Sequence, residues 1–225
     1  MSKNPSILAS WDACLHYTRP WMADTSIGRV RQVPAGTLLY AQGMPHEHFY
    51  LIRKGFVQCS MLHANGRRLL LELMGPGTMF GEGAAFDGNA RYVDARTVTD
   101  AEVTAYAAAD ITGAGARATA LMSDIIKIMA SKQRVLAGKL LEFNSEDPEG
   151  RLRHLLAKLV AVQHRASPDP ARASQVWLSQ ESLGEMCGMS RISAARALRR
   201  LALQGLVRTH PRYVEVLDPQ ALAGR

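Results

Sequence analysis

Cysteine is scarce in this sequence. Cys14, Cys59 and Cys187 are the three present. An odd, widely scattered set is not a disulfide framework and points to a reducing, cytoplasmic setting. Long apolar runs are missing too. Nothing approaches the roughly 18 consecutive residues a membrane span needs, so no membrane partner is expected. The first twenty residues carry Asp12, His16 and Arg19 and no continuous apolar core, unlike a secretory signal. There is no low-complexity tract and no repeat of fixed period, which argues against disordered and solenoid architectures. No nucleophile, base and orienting group stand in a recognisable pattern, so the expectation is a protein that is not an enzyme.

What is present is a basic globular chain. Its 225 residues suffice for two modest domains. The net charge of +7 admits nucleic acid or an anionic membrane as partner. From about Arg29 to Tyr106 short apolar and β-branched runs alternate with glycines, among them Gly36, Gly43, Gly55, Gly66, Gly77 and Gly88. That pattern predicts an antiparallel barrel or sandwich. Asn65-Gly66 predicts a hairpin turn, because Asn-Gly accepts positive φ at both central positions.

From Thr119 to Phe143 the period changes. Leu121, Ile125, Ile128, Met129, Leu136, Leu140 and Phe143 recur at three, four and seven, which predicts a helix about 40 Å long. Lys127, Lys132, Lys139 and Glu142 are read as its wet side. So long an apolar stripe exceeds what one small barrel covers, and the same helix of a second subunit is expected to complete it, as in a parallel coiled coil. Asn144 to Glu149 is polar, ends the helix at Pro148 and is read as a hinge. Arg151 to His164 is helical by its leucine stripe. A Pro/Ala/Ser loop from Arg165 to Ser174, two short helices and a final strand pair follow.

The most informative stretch runs from Ser179 to Leu201. Ser179 and Ser190 are good N-caps for two successive helices, and Gly188 stands where the first must stop. Leu183, Met189, Ala194, Ala197, Leu198 and Leu201 are expected to face inward, with Gly184 and Ala194 small where the helices cross. This is the spacing of a helix-turn-helix. The outward face carries Arg191, Arg196, Arg199 and Arg200. Between Ser190 and Arg212 there are six arginines and no carboxylate, an arrangement that duplex phosphates would relieve. Arginine can also bridge guanine O6 and N7. Gly205 to Val216 reads as a hairpin wing with Arg208, His210 and Arg212 near its tip, where a wing touches the sugar-phosphate backbone. The expected DNA-contacting residues are Ser179, Ser190, Arg191, Ile192, Ser193, Arg196, Arg199 and His210.

With these residues in view, the chain from Gly28 to Leu217 resembles the CRP/FNR family of bacterial transcription regulators. Gly75-Pro-Gly-Thr-Met-Phe-Gly-Glu82, then Ala90-Arg91 and Ala95-Arg-Thr, look like that family's phosphate-binding cassette. Gly150-Arg151 and Ser179 to Leu201 look like its DNA-binding domain. The resemblance implies an α+β chain: an N-terminal antiparallel β-roll of the cyclic-nucleotide-binding jelly-roll kind with an N-terminal helical segment (1–115), a dimerisation helix (116–144) and a C-terminal winged helix-turn-helix (145–225). It implies a homodimer joined through residues 119–143, double-stranded DNA and RNA polymerase as partners, and an effector pocket at Gly81, Glu82, Arg91, Tyr92, Leu136 and Ala137. Gly81 would let backbone amides approach an anion, Arg91 would pair with it, and Glu82 would accept from a hydroxyl.

Three positions depart from the cAMP-responsive pattern. Tyr92 stands where a small hydroxyl residue touches the phosphate, Leu136-Ala137 stands where a Thr-Ser pair grips adenine, and Ile192 stands where a glutamate reads cytosine. These put cAMP in doubt: the effector is expected to be a small anion, a cyclic nucleotide or other, or else an apolar ligand, and the operator is expected to differ. The alternative is a vestigial pocket in which Glu82 and Arg91 pair and hold the roll closed. Other variants have thinner support. Only Cys14 lies near the N-terminus for an iron–sulfur cluster, and no haem ligand stands out among His16, His46, His48 and His63. A cupin-like metal enzyme would rest on His46-Glu-His48 alone.

Overall fold

The computed structural model describes residues 14–45, 48–64, 66, 68–145, 147–166 and 174–222. The described chain divides into two compact units, Ser10–Val135 and Leu136–Arg225.

The first unit is the jelly roll. Helix α1 (Leu15–Ala23) precedes strands β1 (Arg29–Val33), β2 (Leu38–Tyr40), β3 (His48–Lys54), β4 (Val57–Leu62), β5 (Arg68–Met74) and β6 (Met79–Phe80). Helix α2 (Glu82–Asp87), β7 (Asp94–Thr97), β8 (Ala101–Ala107) and α3 (Ala108–Thr112) complete it. Two four-stranded antiparallel sheets form, in the orders β1-β8-β3-β6 and β2-β7-β4-β5. The antiparallel barrel or sandwich expected from the short apolar runs is therefore present, and glycines mark turns between the strands. Gly66 has φ 81° between β4 and β5, as the hairpin expectation needs; Asn65 lies outside the described residues. Gly55 (φ 80°) is tighter still. A Cβ there would meet the Asp100 carbonyl oxygen at 2.3 Å, so only glycine fits.

Helix α4 (Ala118–Ser145) agrees with the helix expected over 119–143. Its first half belongs to the roll. Ile125 and Ile128 are buried with Phe49, Leu51, Tyr106 and Trp21 in one cluster. Trp21 packs edge-on to Tyr106 at 5.3 Å between centroids, and Phe49 stacks on Tyr106 at 5.1 Å. The apolar stripe read as continuous is in fact two faces. Ile125, Ile128 and Val135 are buried in the roll, whereas Ile126, Leu136 and Leu140 are exposed. Lys132, placed on the wet side by the sequence reading, is buried: it lies three residues before Val135 and four after Ile128, on the inward face.

The second unit begins within α4. Helix α5 (Pro148–Ala166) starts on the proline that was expected to end its predecessor, a position where the missing N–H is not needed. Then come β9 (Gln175–Val176), α6 (Gln180–Met186), α7 (Arg191–Leu203), β10 (Val207–Thr209), β11 (Val214–Val216) and α8 (Pro219–Leu222). The wing is a three-stranded sheet, β10-β11-β9, rather than the strand pair expected. Val176 alternates inward as the third strand's contribution. Leu152, Leu156, Leu159, Leu183, Leu198, Leu201 and Leu222 are buried in this unit. Of the loop expected over 165–174, residues 167–173 lie outside the described ones.

Candidate effector pocket and nucleic-acid interface

The pocket sits where β6 hands over to α2. Gly81 has φ 85° and caps α2. A Cβ on it would meet Arg91 Nη1 at 2.9 Å and the Tyr40 ring at 3.3 Å, so glycine is needed for conformation and for space. Tyr40, Cys59, Glu82, Arg91, Tyr92 and Lys132 are among the side chains lining a cavity of about 20 Å³, room for a single water. A larger ligand has to displace side chains to enter.

Those side chains are largely satisfied by each other. Glu82 and Arg91 do not pair, which corrects the pairing expected in that alternative. The Lys132 ammonium, from α4, donates to Glu82 Oε1 at 2.7 Å and to the Met79 carbonyl at 2.6 Å. The Arg91 guanidinium donates to the carbonyls of Gly81, at 2.5 Å, and His48, and lies 4.2 Å over the Tyr40 ring. Two polar atoms remain without a hydrogen-bond partner among the described residues, Glu82 Oε2 and Arg91 Nε. Tyr92 is half exposed at the rim, and Leu136 and Ala137 are exposed on α4 and outside the cavity lining.

Burial pushes the Cys59 thiol up to about 12, opposed in part by the nearby Lys132 charge, and burial likewise raises the Tyr40 hydroxyl well above its ordinary range. A thiol so raised stays protonated and inert. All three cysteines are buried. The native protein at pH 8.5 is therefore expected to react with less than one equivalent of a thiol reagent, and the unfolded protein with three, as counted by absorbance or mass spectrometry.

The second candidate site is built by α6 and α7. Ser179 accepts from the Ser182 amide at 3.0 Å and Ser190 from the Ser193 amide at 3.2 Å, so both expected caps form. Gly188 is left-handed, φ 62°. At Gly184 a Cβ would meet the Met189 carbonyl oxygen at 3.0 Å, which is why the crossing needs a small residue. Arg151, at the start of α5, donates its Nε to the Cys187 carbonyl at 3.1 Å and so ties the end of α6.

Outward from this frame, Arg191, Ile192, Arg196 and Arg199 are exposed on α7, and Ser193 is half-buried behind them. None of the three arginines has an ion-pair partner among the described residues. Arg200 does, with Glu149 at 3.7 Å, and Arg208 pairs with Glu215 at 3.3 Å. The arginine run is thus less naked than its sequence implies. His210 is half-buried. It stacks on Tyr213 at 4.2 Å, with Trp177 on the other ring contact at 4.7 Å, and its Nε2 lies 3.2 Å from Glu215 Oε2.

Sequence reasoning missed Lys132, Glu149 and Glu215. For Lys132 the signal was present, since it occupies an apolar position in the three-four spacing of Ile125, Ile128 and Val135. The carboxylates come from distant or cross-strand positions. His46 and Glu47 lie outside the described residues, and no group of three metal-ligating side chains occurs among the described ones.

The cyclic nucleotide-binding domain family matches residues 30–116, and the Crp-like helix-turn-helix domain family matches 150–225. The chain belongs to the CRP/FNR family. The CRP-like cAMP-activated global transcriptional regulator of Mycobacterium tuberculosis is 28% identical over 194 residues, 85% of each chain. The cyclic AMP receptor protein of Thermus thermophilus is 28% identical over 192 residues, again 85% of each. Among solved structures, FixK2 from Bradyrhizobium japonicum superposes with a TM-score of 0.73 at 19% identity, covering 88% of this chain and 96% of that one, which bears on the fold alone. CRP/FNR regulators bind DNA and act as dimers. No helix among the described residues is long and apolar enough to cross a membrane.

Proposed function

We propose that this protein is a homodimeric, sequence-specific DNA-binding transcription regulator of the cytoplasm, controlled by a small anionic ligand in the roll. The observation that carries the DNA reading is the capped helix α7 with Arg191, Arg196 and Arg199 exposed and free of carboxylates. Guanidinium groups so presented match phosphates and guanine edges. Ile192, 65% exposed beside them, suits a thymine methyl group. RNA polymerase is the further partner this reading implies.

The ligand reading rests on the two orphaned atoms of the pocket, Glu82 Oε2 and Arg91 Nε, both on buried side chains. A buried polar atom left unpaired costs about 1–3 kcal/mol, and a ligand that satisfies it recovers part of that. Two cations, Arg91 and Lys132, face this cavity against one carboxylate, so an anion fits its charge. Leu136 and Ala137 offer no hydroxyl to read a base, which favours an effector recognised by its anionic end. The ligand acts only through unequal affinity for two arrangements of α4, and Lys132 is the α4 residue whose contacts differ when Glu82 is engaged.

A second reading has its own observation: Lys132 already neutralises Glu82 at 2.7 Å, so the pocket could be internally liganded and DNA binding constitutive. A thermal-shift screen of nucleotides and inorganic anions, repeated with duplex DNA, separates the two. On the first reading one anion class raises the melting temperature and alters DNA affinity, and Arg91→Ala abolishes both responses while leaving basal DNA binding within about threefold, because Arg91 is in the roll. An unresponsive wild type that binds DNA supports the second reading; a wild type indifferent to DNA at low salt removes both.

A further inference from the structure

We propose that Gln133 sets the register and orientation in which two copies of α4 pair, its amide meeting the same amide of the second copy at the centre of the seam. The inference rests on the homodimer reading above. Helix α4 uses one face, with Ile125, Ile128, Lys132 and Val135, to pack in its own roll. A second face is left: Met122, Ile126, Met129, Gln133, Leu136 and Leu140 follow one another at four, three, four, three and four residues. Ile126, Gln133 and Leu140 are seven residues apart, and so are Met122, Met129 and Leu136, the heptad repeat of a helix wound on a like helix. Ile126 is 62% exposed and Leu140 63%, too much apolar surface for a face that stays in water.

A second copy is the occupant that fits. CRP/FNR regulators act as dimers, and the residue types match a two-stranded parallel pair. Ile126, Gln133 and Leu140 fall at the heptad's first core position, and Met122, Met129 and Leu136 at its fourth. Ile126 at a first position and Leu136 at a fourth are the β-branched and leucine choices that favour two strands. Ala130 and Ala137, next to the fourth positions, are small enough to let the helices close.

Within this face Gln133 is the one polar residue, exposed and at the middle of the run. In a parallel, in-register pair each first-position residue meets its own copy, so two amides can donate to and accept from each other. Any slip by a heptad would set Gln133 against Ile126 or Leu140 and bury an amide with no partner. An antiparallel pairing centred elsewhere does the same. The residue thus lowers the stability of wrong pairings more than that of the right one, as a buried polar first-position residue does in other coiled coils.

The test uses the full chain and sedimentation equilibrium. Q133E and Q133K each place two like charges face to face and are expected to weaken self-association at least tenfold. Mixing the two variants in equal amounts is expected to restore dimers of mixed composition, which also shows that both chains are folded. If wild type is a dimer while each charge variant dimerises as tightly, with statistical mixing, Gln133 does not meet its copy and the proposal falls with the dimer intact. A wild type that stays monomeric to high micromolar concentration overturns the dimer reading itself.

Discussion

Removing the Lys132 ammonium is expected to be the most damaging single change in the roll. Lys132→Met leaves Glu82 buried and without its 2.7 Å partner, and breaking one side of a buried pair costs about 3–5 kcal/mol. Glu82→Leu should cost a comparable amount, because the buried ammonium then loses the carboxylate 2.7 Å from it. The pair of substitutions together should recover most of either loss, since two apolar side chains of similar volume need no charge partner. Urea unfolding of the four proteins forms a double-mutant cycle and reads this directly. Strictly additive losses would show that the two side chains do not depend on each other and would remove the link between pocket and helix. The functional consequence follows from where Lys132 stands. It precedes Gln133 by one residue, so the residue that grips the pocket and the residue proposed to meet the second copy are neighbours on α4.

The largest effect on DNA binding is expected at α7. Arg191→Ala and Arg196→Ala should each weaken operator binding by about 1–3 kcal/mol, roughly 5- to 150-fold, and relax discrimination at the base pair each one reads. Arg199→Ala should instead weaken binding to all duplexes alike and reduce the slope of log affinity against log salt by about one. These side chains are exposed and have no ion-pair partner among the described residues, so the variants should melt within about 0.5 kcal/mol of wild type, and a loss of affinity then reports on contact with DNA. Arg200→Ala is the internal contrast. That guanidinium already faces Glu149, and its removal should matter less. Measurement is by fluorescence anisotropy on operator and random duplexes across a salt series. Wild-type affinity retained in Arg191→Ala and Arg196→Ala together would place the DNA-reading surface elsewhere.

The outward appearance of α7 was legible from spacing alone because a helix-turn-helix is a local motif. Two serine caps, one left-handed glycine and one small residue at the crossing specify it within about 20 residues, and each requirement is met by backbone chemistry near in sequence. What spacing could not reveal is which arginines are neutralised. Glu149 reaches Arg200 from another helix, and Glu215 reaches Arg208 across a strand pair.

By itself the sequence determined the order of β-roll, long helix and helix-turn-helix, the two periods of strand and helix, and the two serine caps, because each depends on the conformational preferences of a few neighbouring residues. It also placed Gly81, Glu82 and Arg91 in one pocket through a recognisable cassette. Only the tertiary structure decided who pairs with whom inside it. Lys132 lies 50 residues from Glu82, and a lysine reads as solvent-facing until the fold buries it, because burial of a charge is tolerable only when a distant partner is brought within reach. The same holds for α4. One apolar stripe in the sequence became two faces in space, since the roll covers only the residues its own curvature can touch.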